Sequence, residues 1–370
     1  MKLTIERATL LRSLSHVQSV VERRNTIPIL SNVKLSADRD SLSLTATDMD
    51  IDIVETTPAT VATDGATTAP AHTLYDIVRR LPDGSQVEIE AAGESLTLRS
   101  GRSKFSLPCL PTDDFPATTS NDLPHRFELA AADLRALIDR THFAISTEET
   151  RYYLNGIYLH ATESDGEAVL RAVATDGHRL ARVETPMPDG ASDMPGVIVP
   201  RKTVAELRKL IDETGTVLSI SLSDTRIRFA FDKAVLSSKL IDGTFPDYQR
   251  VIPADNDKQM SVDRRSLVDA AGRVSAISTE KSRAIKLEVQ PGNLVLSATS
   301  PDNGSATEEV EIDYDSTPIE IGFNSRYMLD ILDQIKGDQA SFLMSDASSP
   351  TIVSDSGDAS ALYVLMPMRV

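Results

Sequence analysis

Residues 145–151 read Ile145-Ser146-Thr147-Glu148-Glu149-Thr150-Arg151, and residues 277–283 read Ile277-Ser278-Thr279-Glu280-Lys281-Ser282-Arg283. Five of the seven positions are identical, and the copies start 132 residues apart. That spacing is one compact domain, which most often runs to about 100–150 residues. An echo at that distance reads as duplication, so the chain is expected to be a string of similar domains rather than one large fold.

Working outward, the elements on either side of the echo repeat as well. A strand pattern at Leu3-Thr4-Ile5 precedes Ala8–Val21, where Leu10, Leu11, Leu14, Val17 and Val21 recur at helical spacing. The proline in Ile27-Pro28-Ile29-Leu30 excludes helix, and strands are expected at Val33-Lys34-Leu35 and over the alternating Leu42–Thr47. A helix at Thr73–Leu81 stops at Pro82-Asp83-Gly84, and strands follow at Val87–Ala91, Ser95–Arg99 and Lys104–Leu107. Residues 110–122 read as a linker.

The second block repeats this order: strand Phe127-Glu128-Leu129, helix Ala131–Phe143, the first copy of the echo, then Tyr152–Leu159, which lines up with Ile29–Leu35. Ala174-Thr175-Asp176 stands where Ala46-Thr47-Asp48 stood, a helix runs from Pro200-Arg201-Lys202 to Ile211, and Phe245-Pro246 mirrors Phe115-Pro116. The third block shows strand Met260-Ser261-Val262, helix Arg264–Ala276, the second copy of the echo, strands Ile285–Val289 and Leu294–Ala298, and helix Ser325–Ile335. These blocks predict three α+β domains at 1–123, 124–256 and 257–370.

The bulk composition agrees with filled cores: 41% of the 370 residues are hydrophobic. Net charge is −17, with 55 acids against 38 bases, which excludes a surface that is basic all over. The bases gather near the helices instead: Arg7, Arg12 and Arg24; Arg79 and Arg80; Arg135 and Arg140; Arg201, Lys202, Arg208 and Lys209; Arg264, Arg265 and Arg273. Ordinary solvated helix faces would look the same, but an acidic chain that handles a polyanion needs such segregation. Arg24 and Arg151-Tyr152-Tyr153 add guanidinium and aromatic groups suited to a phosphate backbone or a base. Cys109 is the single cysteine, no signal peptide pattern opens the sequence, and no stretch is apolar enough to span a bilayer, so a cytoplasmic protein is expected.

Chemistry is suggested only at Ala174-Thr175-Asp176-Gly177-His178-Arg179-Leu180, where an acid and an imidazole stand two residues apart. The other histidines have no partners at metal-ligand spacing, and there is no phosphate-binding glycine loop or nucleophile elbow. A turn framing a binding groove is the better reading, with a hydrolytic site at Asp176 and His178 as its rival. At the other end of the sequence, Tyr363–Leu365 reads as a last buried strand. Met366-Pro367-Met368 beyond it offers adaptable apolar side chains on a backbone that pairs poorly, which suits a groove for several peptides.

The threefold order, Thr26–Leu30, Arg151–Gly156, Ala174–Leu180, Pro200-Arg201-Lys202, Asp242–Tyr248 and Met366–Arg369 together resemble the bacterial DNA polymerase III beta subunit family, the sliding clamps, over the whole chain. The resemblance implies a head-to-tail homodimer of three clamp domains per chain, closing as a six-domain ring on double-stranded DNA with helices inside and antiparallel sheets outside. It implies a processivity factor with no catalysis, cofactor or metal. Partners would be the polymerase III catalytic subunit, the clamp loader, and other polymerases, mismatch-repair and ligase proteins that carry a clamp-binding motif; there would be no membrane partner.

By matching position, Arg24, Arg151, Tyr152, Tyr153, Arg201 and Lys202 would contact DNA. The peptide groove would use Leu154, Thr175, Gly177, His178, Arg179, Leu180, Pro246, Arg250, Val251, Asn324, Tyr327, Val364, Leu365, Met366, Pro367, Met368 and Arg369, with Arg179 or the tail backbone fixing register. Lys104 and Phe105 would meet Ala276 and Ile277 of a second copy, with Glu308 and Glu309 as ion partners. The resemblance is broken at Glu148, which stands where some relatives would carry a neutral, DNA-facing glutamine. It is broken again at His72 and at Gly304-Ser305, which weaken the ion pairing expected at the interface. A repeat-built protein-interaction scaffold with no DNA role is the third alternative.

Overall fold

The first helix buries one stripe against sheet strands. In α1 (Arg7–Val20), Leu10, Leu14 and Val17 fall on one face and are fully buried, and the Glu6 carboxylate caps the first turn by accepting from Thr9 N at 2.8 Å. The other helices are α2 (Ala71–Arg80), α3 (Ala131–Asp139), α4 (Arg201–Ile211), α5 (Arg264–Ser275) and α6 (Ser325–Leu332). Strands alternate: in Ser41–Thr47, Leu42, Leu44 and Ala46 point into the core. The computed structural model describes residues 1–117, 122–211, 217–278 and 283–370.

Among the described residues the strands form three sheets, and all their pairings are antiparallel. The chain divides into two compact units. The first holds Met1–Arg135, Pro188–Pro195 and Lys202–Leu240. It contains a five-stranded sheet in the order Thr60–Thr63, Lys2–Glu6, Gln86–Ala92, Ser95–Ser100, Ser103–Pro108. It also contains an eight-stranded sheet: His125–Ala130, Val217–Leu222, Arg226–Ala230, Ala234–Lys239, Ile51–Pro58, Ser41–Thr47, Asn32–Asp38, Gly65–Pro70.

The second unit holds Ala136–Met187, Gly196–Arg201 and Ile241–Val370. Its single sheet has twelve strands: Val197–Pro200, Gly156–Ser164, Glu167–Thr175, Arg179–Pro186, Asp358–Leu365, Thr351–Asp355, Gln339–Met344, Lys258–Asp263, Gly304–Asp313, Asn293–Ser300, Ala284–Gln290, Ile319–Asn324.

The middle sequence block is therefore shared between the units. Its strand Ala234–Lys239 pairs with Ile51–Pro58 of the first block, and its strand Arg179–Pro186 pairs with Asp358–Leu365 of the third. These two junctions have the same design. Lys239 N donates to Asp50 O at 2.8 Å in one, and Met366 N to His178 O at 3.0 Å in the other. The turns before them match as well: Thr47 Oγ1 accepts from Met49 N and Thr175 Oγ1 from Gly177 N, while Asp48 and Asp176 each accept from backbone amides two and three residues on.

Several local expectations need correction. Pro28 does not exclude helix but opens a 3-10 turn, Pro28–Ser31, where its missing N–H costs nothing. The same kind of turn, Glu149–Leu154, precedes the aligned strand in the second block. Residues 110–117 are not a free linker, because Phe115 is buried against Ile29, Leu30 and Leu110. The helix expected to reach Phe143 ends at Asp139 and is followed by a 3-10 turn at His142–Ala144, and α6 ends at Leu332 rather than Ile335. Residues 118–121 of the expected linker and Thr279–Ser282 of the second echo lie outside the described residues. No described helix is long and apolar enough to cross a membrane.

Candidate functional site

The residues of the expected groove gather in the second unit, around one apolar cluster. Leu154, Val173, Leu180, Ile198, Phe245, Tyr248 and Val364 form one buried apolar cluster, with Tyr153, Tyr158, Ile241, Ile252 and Leu362 packed against it. Strand register brings the chain tail to this cluster, since Leu180 pairs with Val364 and Arg179 with Leu365. Past Leu365 the tail leaves the sheet but stays docked: Met366 N donates to His178 O, and Met368 N donates to Gly322 O at 2.9 Å. A Cβ on Gly322 would sit 2.6 Å from Met368 O, so only glycine lets the tail lie this close. Met366, Pro367 and Met368 are half-buried, and Arg369 is exposed.

Thr175, Gly177 and His178 form the turn beside the tail. Thr175 Oγ1 donates to Arg179 O at 2.7 Å, and Gly177 takes the left-handed conformation at φ 87°. The His178 ring is exposed and stacks on Tyr327, 5.9 Å between centroids. Asn324 caps α6 by accepting from Arg326 N and Tyr327 N, which fixes Tyr327 on the first turn of that helix. Pro246, Arg250 and Val251 stand exposed on the next wall, where Arg250 pairs with Asp247 at 2.8 Å.

Arg179 is engaged within the protein. Its side chain is buried, with Nε on Asp176 at 3.1 Å, Nη1 on Asp330, and Nη2 on Phe143 O at 2.7 Å. Its guanidinium lies over the Tyr327 and Phe143 rings at 4.4 and 5.0 Å. With these donors held inside the protein, Arg179 braces the turn against α6 and the segment at Phe143. The same contacts bear on the hydrolytic reading, because the Asp176 carboxylate accepts from His178 N, Arg179 N and Arg179 Nε. Among the described residues no group of three or more His, Cys, Asp or Glu is arranged to hold a metal ion.

The residues expected at nucleic acid fall in both units. Arg24 is exposed in the loop after α1, in the first unit. Arg151, Tyr152 and Tyr153 lie on the 3-10 turn of the second unit, with the Tyr152 and Tyr153 rings edge-on at 5.8 Å and Tyr152 53% exposed. Arg151 pairs with Glu148 at 3.3 Å, so this acid moderates the neighbouring cation. Arg201 is exposed at the start of α4. Lys202 is half-buried and bonded to Asp48 and, at 3.1 Å, to Glu22. Burial works against its charge, but the two carboxylates outweigh that and raise its pKa.

Among the described residues, those expected at a subunit interface lie on, or just after a helix beside, two strand edges that pair with no further strand over most of their length. Ser103–Pro108, carrying exposed Lys104 and half-buried Phe105, is an edge of the five-stranded sheet. Strand Gly304–Asp313 pairs with Asn293–Ser300 along most of its length but with Lys258–Asp263 only at Ile312 and Asp313, which leaves its other edge open beside α5. Ala276 and Ile277 follow α5. Glu308 is not a free acid, because it is bonded to Arg273 of its own chain, whereas Glu309 is exposed. His72 is held inside the first unit by Gln18 and Val21 O, both at 2.9 Å.

Sequence reasoning missed the residues behind the groove. Tyr158 stacks between His160, at 4.6 Å, and Phe245, at 4.9 Å, and His160 Nε2 lies 3.0 Å from the Tyr248 hydroxyl. Burial, with repulsion from Arg171 adding to it, lowers the His160 pKa from 6.5 to about 4, although Ala161 O and Glu184 oppose the shift. An unfolded His160 takes up a proton at a higher pH than the folded one, so its neutral burial supports the fold fully above pH 6.5. That support is lost as pH falls towards about 4, below which the loss levels off. Thermal midpoints measured from pH 7 to 4 are expected to fall less steeply in His160→Gln than in the parent; parallel curves would refute this.

Comparison with known proteins gives a consistent result along the whole chain. Residues 1–119, 128–247 and 249–369 match the family models described as DNA polymerase III beta subunit N-terminal, central and C-terminal domains. The chain is 55% identical to the beta sliding clamp of Caulobacter vibrioides over 372 residues, and 39% identical to that of Escherichia coli K12 over 373, covering all of both chains in each case. A crystal structure of the Caulobacter crescentus beta sliding clamp superposes with a TM-score of 0.97 at 55% identity, covering 100% of this chain and 99% of that one. A sliding clamp from Bartonella birtlesii bound to griselimycin superposes with a TM-score of 0.98 at 49% identity, covering both chains completely.

Proposed function

The chain belongs to the DNA polymerase III beta subunit family, the beta sliding clamps, and from that premise we propose how its own residues do the work. It is a non-enzymatic processivity factor of DNA replication. Its partners include DNA and the replicative polymerase.

In our reading the chain is three clamp domains, 1–123, 124–256 and 257–370, and two copies close head to tail as a ring around duplex DNA with helices inside and sheets outside. The open edge at Ser103–Pro108 is suited to add to the open edge of Gly304–Asp313 in a second copy, bringing Lys104 and Phe105 towards Ala276 and Ile277. Arg273 already neutralises Glu308, so Glu309 is the acid available across that contact. Arg24, Arg151, Tyr152, Tyr153 and Arg201 would meet phosphates or bases, and Lys202 would do so only by yielding Asp48 and Glu22. Cations paired in this way bind a polyanion weakly, which suits a ring that must slide; release is prevented by topology.

Partner proteins of the bacterial cytoplasm, among them polymerases, the clamp loader, mismatch-repair proteins and ligase, would insert a short apolar-anchored segment beside the tail. The observation that carries this is the apolar cluster around Leu180, Val364 and Phe245, continued by a tail pinned at Met366 and Met368. The test loads the protein on nicked circular DNA with its matching loader and ATP, then linearises the DNA. The expected result is persistence on the circle and loss from the linear form. Equal retention on both would overturn the topological reading, and no retention on the circle would favour a scaffold with no DNA role.

A further inference from the structure

One face of the twelve-stranded sheet changes character partway along. Register sets Tyr158 opposite Val173 in the apolar cluster, and one step further sets His160 opposite Arg171 and Arg171 opposite Glu184. Arg171 is 3% exposed. Its Nε donates to Glu184 at 2.8 Å, and its Nη1 donates to the Tyr248 hydroxyl at 2.8 Å. Tyr248 stands on the boundary, with its ring among Phe245, Leu180 and Val364 and its oxygen between Arg171 and His160.

The roles in this chain of bonds are forced. Arginine only donates, so the tyrosine oxygen accepts from Arg171; a carbonyl only accepts, so the neutral His160 ring bears its proton towards Ala161 O and its Nε2 accepts from the Tyr248 hydroxyl. His160 then carries its proton on Nδ1, facing Ala161 O at 3.3 Å. Burying an arginine–glutamate pair stabilises little compared with hydrocarbon of the same volume, but it specifies a geometry. What it holds is the 3-10 turn Tyr248–Val251, which carries Arg250 and Val251 and follows Pro246. The side chains of those three are exposed, so Tyr248 is the deep anchor of that wall.

We infer that Arg171 and His160 are positioning residues for partner-peptide recognition, acting through the Tyr248 hydroxyl to fix the wall that bears Pro246, Arg250 and Val251. The inference rests on the reading of the groove as the peptide site.

The test measures a fluorescent peptide with leucine and phenylalanine anchors binding to the full-length protein. Tyr248→Phe keeps the ring and removes one hydroxyl, so Kd is expected to rise about five- to tenfold, as loss of a net hydrogen bond allows. Amide exchange should quicken at residues 249–252 and not across the sheet. His160→Gln, or Arg171→Met where it folds, combined with Tyr248→Phe should weaken binding no further than Tyr248→Phe alone, because all act through one atom. Additive losses, or unchanged Kd in Tyr248→Phe, would overturn the positioning role. A parent protein that fails to bind the peptide would instead remove the groove reading, and this inference with it. If the parent binds and removal of Met366–Val370 stops binding while Tyr248→Phe does not weaken it, only the positioning is lost.

Discussion

Removing Met366–Val370 is expected to weaken partner-peptide binding by at least about 100-fold, the scale on which central anchors of small interfaces act. The fold should survive. Tyr363, Val364 and Leu365 stay fully buried, and their strand keeps its pairings with Arg179–Pro186 and Thr351–Asp355. What goes is the half-buried Met366-Pro367-Met368 wall and the bonds from Met366 N to His178 O and Met368 N to Gly322 O. Dimer mass and retention on circular DNA should be unchanged, which separates the groove from the ring. A milder variant, Gly322→Val, retains the tail residues but displaces them, because its Cβ would meet Met368 O at 2.6 Å and also Val370. An intermediate loss of affinity is expected from it. Full-strength binding by the truncated chain would show that the tail is no part of the site.

Much of this was legible because it is local. The alignment of Ile29–Leu35 with Tyr152–Leu159 and of Thr47-Asp48 with Thr175-Asp176 could be read directly, and the turns at Asp48 and Asp176 have the same bonds because the same residue types stand at the same offsets. The 3-10 turns Pro28–Ser31 and Glu149–Leu154 could not be read in this way. Strand Ile51–Pro58 went unread for a physical reason. Its inward positions are Ile51, Ile53, Glu55 and Thr57, and two polar residues hide the period of two. Glu55 can be buried there because Ser13 and His16 bond its carboxylate at 2.8 and 2.7 Å. Arg171 and His160 lie 77 and 88 residues from Tyr248 in sequence; strand register sets the first two opposite each other, and the turn at Tyr248 packs onto them. The charge of Arg179 invited a role in ligand contact, but its partners Phe143 and Asp330 come from distant segments and carry no signal at its own position.

Phe105→Asp is expected to split the dimer and with it the difference between circular and linear DNA. Phe105 is half-buried on a strand that ends its sheet, with no further strand paired to it among the described residues. A half-buried aromatic on an open edge is poorly placed for a lone chain and well placed for strand addition, since aromatic residues supply much of an interface's affinity. The neighbouring charges cannot supply it: Lys104 is exposed, and exposed ion pairs contribute at most about 1 kcal/mol. An aspartate at 105 in the closed ring would bury an unpaired carboxylate beside Glu309, at a cost of several kcal/mol for each of two identical contacts. In the single chain it would simply be solvated, so folding should be little affected. Sedimentation should therefore give a monomer at concentrations where the parent is a dimer. Retention on nicked circles should fall to the level seen on linear DNA, while the peptide binds as before, because the groove lies within one chain's second unit. A variant that stays dimeric would move the interface elsewhere. A monomer that still persists on circles would mean that attraction to phosphates, rather than closure, holds the protein on DNA, and with a net charge of −17 that attraction has little to draw on.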